Sequence, residues 1–137
     1  MTSATWQFAD ISAPNAPRRY YRARQLEFAP DFLAGKTIVA TVTNAGPFTV
    51  TLAYAVGTFT QTNGSETQYG VYYYVRTGPV TALINDQTTA PPEVAGNTST
   101  AQLTFTSPTG GTFVSNSFTP GDPVETAIGT FQIGNSP

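Results

Sequence analysis

Gln68 to Pro79, QYGVYYYVRTGP, is the stretch whose reading decides the fold. It carries four of the seven tyrosines and is bounded by turn signals. With a period of two, Tyr69, Val71, Tyr73 and Val75 fall on one face, and Gly70, Tyr72, Tyr74 and Arg76 on the other. Aromatic and β-branched residues favour a pleated strand. A strand apolar on both faces suits the middle of a sheet, with at most one of its faces open. The surrounding segments are then shorter strands that pair with it or pack on it.

Working outward, the neighbouring stretches alternate in the same way. Lys36 to Thr43 sets Ile38, Ala40 and Val42 against Thr37, Val39, Thr41 and Thr43. Phe48, Val50, Leu52 and Tyr54 alternate with Thr49, Thr51 and Ala53, and Gly57 marks a bulge or bend before Thr58-Phe59-Thr60. Asn63-Gly64 is the strongest hairpin signal, predicting a type I′ turn that pairs the strand ending near Thr62 with Glu66 to Arg76. After Thr77-Gly78-Pro79 a short strand is expected over Val80 to Ile84. Asp86 to Asn97, with Pro91-Pro92 inside it, is expected to be the longest irregular segment. Thr98 to Thr106 turns Ala101, Leu103 and Phe105 inward. Strands over Thr112 to Phe118 and Glu125 to Ile133 complete the chain.

Upstream, Trp6 to Ala9 is a short apolar–polar stretch, and Pro14 and Pro17 make the segment after it extended or turn-like. Arg18 to Phe28 resumes as a strand, and Pro30 to Gly35 is one helical turn or a loop closed by Gly35. The expectation is an all-β fold, an antiparallel barrel or sandwich of about eight to nine strands with no long helix. Residues 1–28 form an N-terminal arm and residues 29–137 the domain proper.

Composition narrows the function classes. At 137 residues the chain is one domain, long enough to bury a core. Only 10% of residues are charged while 24 are threonine, which lines solvated strand faces without charge. A net charge of −2 gives no global attraction to nucleic acid or anionic membranes. With no cysteine, disulfides and thiolate chemistry are excluded. With no histidine, the commonest general base and metal ligand are missing. No stretch approaches the roughly 20 apolar residues of a membrane helix. MTSATWQF has neither a basic n-region nor an apolar h-region, so the chain either stays inside the cell or is a mature or excised segment with an added Met1. The Thr/Gly/Ser-rich composition favours the second, and with it an extracellular or cell-surface location.

Two blocks resemble known modules. Trp6-Gln7-Phe8-Ala9-Asp10 through Ala16-Pro17-Arg18-Arg19-Tyr20-Tyr21-Arg22-Ala23 resembles the closing segment of immunoglobulin-like or fibronectin-like repeats in large secreted bacterial proteins. LAGKTIVATVT (33–43), GTFT (57–60), YYYVRTGPVTALI (72–84), AQLTFTSPTGGTF (101–113) and GTFQI (129–133) resemble the β-rich module found after such repeats. The resemblance implies a barrel-like or calycin-like module with no assigned activity and no catalytic residues. It is poorest in the loop containing Glu93.

Several side-chain sets invite a functional reading, each with a plainer one beside it. Arg18, Arg19, Arg22 and Arg24, interleaved with Tyr20 and Tyr21, have the chemistry of a nucleic-acid surface. A charged outer strand face that discourages edge pairing explains them as well, and the acidic balance favours that. Arg18, Tyr20, Tyr21, Arg22 and Arg24 are also the candidates for a self-association strand, because a strand tethered by a Pro-rich linker is what strand donation requires. Trp6, Tyr72 and Tyr74 are candidates for a flat platform under a sugar ring, against the plainer reading of core packing.

Of the eight carboxylates, Asp122 and Glu125 are near in sequence but flank Pro123 at a turn. No calcium-loop pattern is present. Asn63-Gly64-Ser65 and Asn97-Thr98-Ser99 match the glycosylation pattern and are read as turn residues. No catalytic, cofactor or metal site is expected. The function expected is a non-catalytic structural module of a bacterial surface protein, adhesin or fibre. A fibre subunit assembled by strand donation from residues 1–28, a carbohydrate-binding module, and a barrel holding a small apolar ligand are the rivals. The partners expected are neighbouring domains, identical subunits in a homopolymer, or glycans, with no nucleic acid and no membrane insertion.

Overall fold

The computed structural model describes the backbone of residues 6–9 and 20–23 and the whole of residues 26–137. Eight antiparallel strands succeed one another around a closed barrel: β3 (Lys36–Val42), β4 (Phe48–Tyr54), β5 (Thr58–Asn63), β6 (Glu66–Arg76), β7 (Thr81–Ala90), β8 (Thr98–Ser107), β9 (Gly110–Phe118) and β10 (Glu125–Asn135). Each strand pairs with its sequence neighbours, and β10 closes the ring by pairing with β3, Phe131 opposite Ala40 and Ile133 opposite Ile38. Two further strands, β1 (Trp6–Ala9) and β2 (Tyr20–Ala23), pair with each other, Trp6 opposite Ala23, and among the described residues with no strand of the barrel. The all-β expectation holds, and of barrel and sandwich it is the barrel that forms.

Alternation explains which way each side chain points. Ile38, Ala40 and Val42 of β3, Leu103 and Phe105 of β8, and Phe131 and Ile133 of β10 face inward and form the core with Tyr54, Phe59, Ala82, Ile84 and Phe113. The intervening positions are largely threonine and face outward. Thr81, Thr104, Thr112, Thr130, Thr41 and Thr49 lie in register across six successive strands and make a threonine row around the outer wall. β-Branched residues suit the pleat, and their hydroxyls reach water or each other, so the wall stays solvated with almost no charge.

Curling eight strands around so narrow a core requires close approaches that glycine alone permits. Gly70 lies opposite Phe59, and a Cβ built on it would stand 2.6 Å from the Phe59 ring and 2.2 Å from Gln87 O. Gly129 lies opposite Phe113, where a Cβ would stand 1.9 Å from Thr41 O. In both places the missing side chain on one strand makes room for an inward phenylalanine on the next.

One end of the barrel is plugged by residues 26–35. Leu33 is 1% exposed and packs into the core with Ala29, while Phe28 lies against it. Tyr74 donates a 2.6 Å hydrogen bond to Pro30 O, Ala29 N–H donates to Pro79 O at 3.0 Å, and Gly35 N–H donates to Tyr54 O at 2.9 Å. Arg76 adds ion pairs to Glu27 at 3.4 Å and Asp31 at 3.3 Å. This segment is a turn with Gly35 at positive φ, not a helix.

Four local expectations are corrected. The strand expected over Arg18 to Phe28 is confined, among the described residues, to Tyr20–Ala23. The open face of β6 is that of Tyr69 and Tyr73, 51% and 67% exposed, and not that of the platform candidates Tyr72 and Tyr74, because a barrel has no second sheet outside it. The Asn63-Gly64 hairpin forms, but Asn63 pairs with Glu66 inside the ladder and the turn is Gly64-Ser65. Only Gly64 has positive φ, the arrangement of a type II′ turn and not the expected type I′. Finally, residues 86–90 are strand, so the irregular segment shrinks to 91–97.

Candidate functional site

The plug at one end and the open strand ends at the other turn the barrel into a cup. Inside it lies a cavity of about 230 Å³. Its floor and lower wall are apolar: Ile38, Ala40, Leu52, Ile84, Leu103, Phe113 and Phe131. Phe105 packs edge-on against Phe131 with centroids 4.9 Å apart and helps fill the space toward the plug. Towards the mouth the lining changes to Gln61, Asp86, Ser99, Ser115 and Ser117, with Phe48, 41% exposed, at the rim. An engineered cavity of roughly 150 Å³ holds benzene, so the cup has room for one ring with a short substituent.

Asp86 is the chemically distinctive residue of this wall. It sits inward on β7, between Tyr72 of β6 and Ser99 of β8 in the strand register. Ser99 Oγ donates to Asp86 Oδ2 at 2.9 Å. Burial pushes the Asp86 carboxyl up to about 6, an effect only partly offset by the hydrogen bonds from Ser99. Tyr54, 5% exposed, also lines the cavity. Its pKa is raised by burial first and by the nearby Asp86 and Tyr72 second. The Tyr54 ring stands edge-on to Tyr72 at 4.8 Å.

The residues singled out from sequence fall elsewhere. Tyr72 and Tyr74 do not form an open platform. Both pack against the core, and their hydroxyls are spent on Ala55 O (2.7 Å) and Pro30 O (2.6 Å). The exposed tyrosines of β6 are Tyr69 and Tyr73. The side chain of Trp6, the third member of that set, lies outside the described residues. So do Arg18, Arg19 and Arg24 and the side chains of Tyr20, Tyr21 and Arg22, although the β2 backbone is paired with β1. Glu27 is paired with Arg76. Among the described residues no cluster of three or more acidic side chains is placed to hold a metal ion.

Sequence reasoning misses Asp86 because it lies in a segment that reads as a loop. The signal that could find it is the period of two from Ala82 through Ile84, which continues to Asp86 and Thr88 and places both inward.

The fold and cavity together define an eight-stranded up-and-down barrel with an interior cup, an architecture that holds small molecules when the core is not filled by side chains. Set against protein-family models, curated proteins and solved structures, the chain finds no match.

Proposed function

We propose that the chain is a non-catalytic module whose barrel holds a small, largely apolar molecule, carried in a surface or fibre protein of the kind its sequence resembles. The observation that carries the binding reading is the cup: an interior cavity of about 230 Å³, apolar below and hydroxylic above, plugged at one end. Concave, mostly apolar sites with a few convergent polar groups are where proteins bind small ligands. A structural bead needs only a filled core, and the inward Ala40 and Ala101 leave this one unfilled. The surface-protein setting rests on the resemblance of residues 6–23 and 33–133 and on the low-charge, threonine-rich wall.

The rival of strand donation finds no acceptor in the barrel. All eight strands are paired on both sides, so an incoming strand would have to displace β3 or another member. Tyr72 and Tyr74 of the carbohydrate platform are partly buried against the core.

Filling the cup tests the reading. Ala40→Phe places a ring where the ligand would sit. The expected result is loss of saturable binding of 2-phenylethanol with the barrel intact by circular dichroism. Undiminished binding by a folded Ala40→Phe protein would remove the cup as the site.

A further inference from the structure

We propose that the cup is specific for small amines: a protonated nitrogen pairs with the Asp86 carboxylate while an apolar body of about one ring fills the cavity beneath it. This rests on the cup reading and adds the chemical class of its occupant.

A carboxylate on a low-dielectric wall is costly unless a cation or several hydrogen bonds compensate it. Among the described residues the only side-chain donor to Asp86 is Ser99. The two described cations are both engaged at the plugged end. Arg76 is held by Glu27 and Asp31, and Lys36 donates to Asn135 at 3.4 Å. The cavity therefore carries a negative charge near its mouth with no protein cation beside it among the described residues. Packing could have avoided this, since an apolar residue at position 86 would continue the inward series Ala82, Ile84.

The rest of the lining suits a cation attached to an apolar body. Tyr54 and Phe113 line the same cavity, and aromatic rings attract ammonium groups. Ser99, Ser115 and Gln61 supply oxygen acceptors for the remaining N–H donors. A single carboxylate with hydroxyl oxygens offers a divalent ion too few anionic ligands. An anionic ligand would meet like charge. A neutral ligand would leave the Asp86 charge uncompensated.

The titratable groups facing Asp86 from the adjacent walls are Tyr54 on β4 and Tyr72 on β6, both raised by burial, while β8 and β9 contribute only serines to the polar lining. Between pH 5 and 8, Asp86 is thus the group among the described lining residues that changes charge. Its carboxyl titrates near 6, so amine binding strengthens as pH rises through that value.

The test is calorimetric titration of the full 137-residue chain with three probes of one shape: 2-phenylethylamine, 2-phenylethanol and 3-phenylpropanoate. At pH 7.5 the amine is expected to bind at least about tenfold more tightly than the alcohol, as a charged hydrogen bond allows, and the carboxylate to bind least. Asp86→Asn is expected to erase the amine's advantage over the alcohol. Should that variant fold poorly, the wild-type protein at pH 5 serves instead: with Asp86 mostly protonated, the amine's advantage over the alcohol should fall about tenfold. Equal binding of amine and alcohol at pH 7.5 overturns the amine specificity and leaves the cup standing. An amine advantage that survives in Asp86→Asn overturns the role of Asp86. Failure of all three probes to bind overturns the specificity and the cup together.

Discussion

Ser99 Oγ reaches across the β7–β8 pairing to donate a 2.9 Å hydrogen bond to Asp86 Oδ2, and both side chains line the cavity. One hydroxyl is little support for a carboxylate on a partly dehydrated wall. Asp86 accordingly remains protonated to a higher pH than an exposed aspartate, and that has consequences for stability as well as binding.

The first consequence is a pH dependence with a defined sign. Because the folded carboxyl titrates near 6 and the unfolded one near 3.8, the native state holds the extra proton between those values. Stability is then greatest below about pH 4, falls as pH rises through 6, and levels off above it. The loss attributable to Asp86 is about 3 kcal/mol. Urea denaturation at pH 4, 5, 6 and 7 should show that the difference between wild type and Asp86→Asn grows with pH, in favour of the variant. A difference that stays constant from pH 4 to pH 7 would contradict this.

The second prediction concerns the glycines that let the barrel curl. Gly70→Ala forces a methyl to within 2.2 Å of Gln87 O and 2.6 Å of the Phe59 ring. The strand must shift, at a cost of about 2–4 kcal/mol. Gly134→Ala, with nothing within 4 Å, should stay within about 0.5 kcal/mol of wild type. Chemical denaturation of the two variants side by side checks the contrast.

Much of this architecture is legible in the sequence. The inward series Ile38-Ala40-Val42, Phe48-Val50-Leu52-Tyr54 and Ala101-Leu103-Phe105 can be read from alternation alone, since a half-buried strand must show it. Closure cannot, because it depends on Phe131 meeting Ala40 from the far end of the chain, and no local pattern encodes that register. β6 misleads for a related reason. Tyr69, Val71, Tyr73 and Val75 are as apolar as a covered face, yet they stand on the outside of the wall. The candidate site is the least legible part. Asn85-Asp86-Gln87-Thr88-Thr89 is polar throughout, so its inward positions carry none of the apolar signal by which strands are recognised.

A third prediction tests the plug. Leu33→Ala removes the most deeply buried side chain of the segment that seals the base and should cost about 2–5 kcal/mol. Tyr74→Phe, which gives up the 2.6 Å bond to Pro30 O, should cost about 1 kcal/mol. Arg76→Gln should cost less than either, because its partners Glu27 and Asp31 are 56% and 81% exposed and solvent screens the pairs. Thermal denaturation of the three variants should rank them in that order.

The outer wall supplies the fourth. Tyr73→Ser changes a side chain that is 67% exposed, whereas Phe59→Ala empties the position under Gly70, where the ring is 3% exposed. The first should alter stability by under about 1 kcal/mol and the second by about 3–5 kcal/mol. Comparable losses from both would mean that the outer face of β6 is covered after all.

The most direct test of the cup is methyl NMR of the full chain titrated with 2-phenylethanol. Saturable shifts confined to the methyls that line the cup, Ile38, Leu52, Ile84 and Leu103 among them, with Leu33 in the plug and Leu26 outside unmoved, are the predicted result. Shifts confined to outer-wall methyls such as Val71 and Val114, or no saturable shift at any concentration, would contradict it.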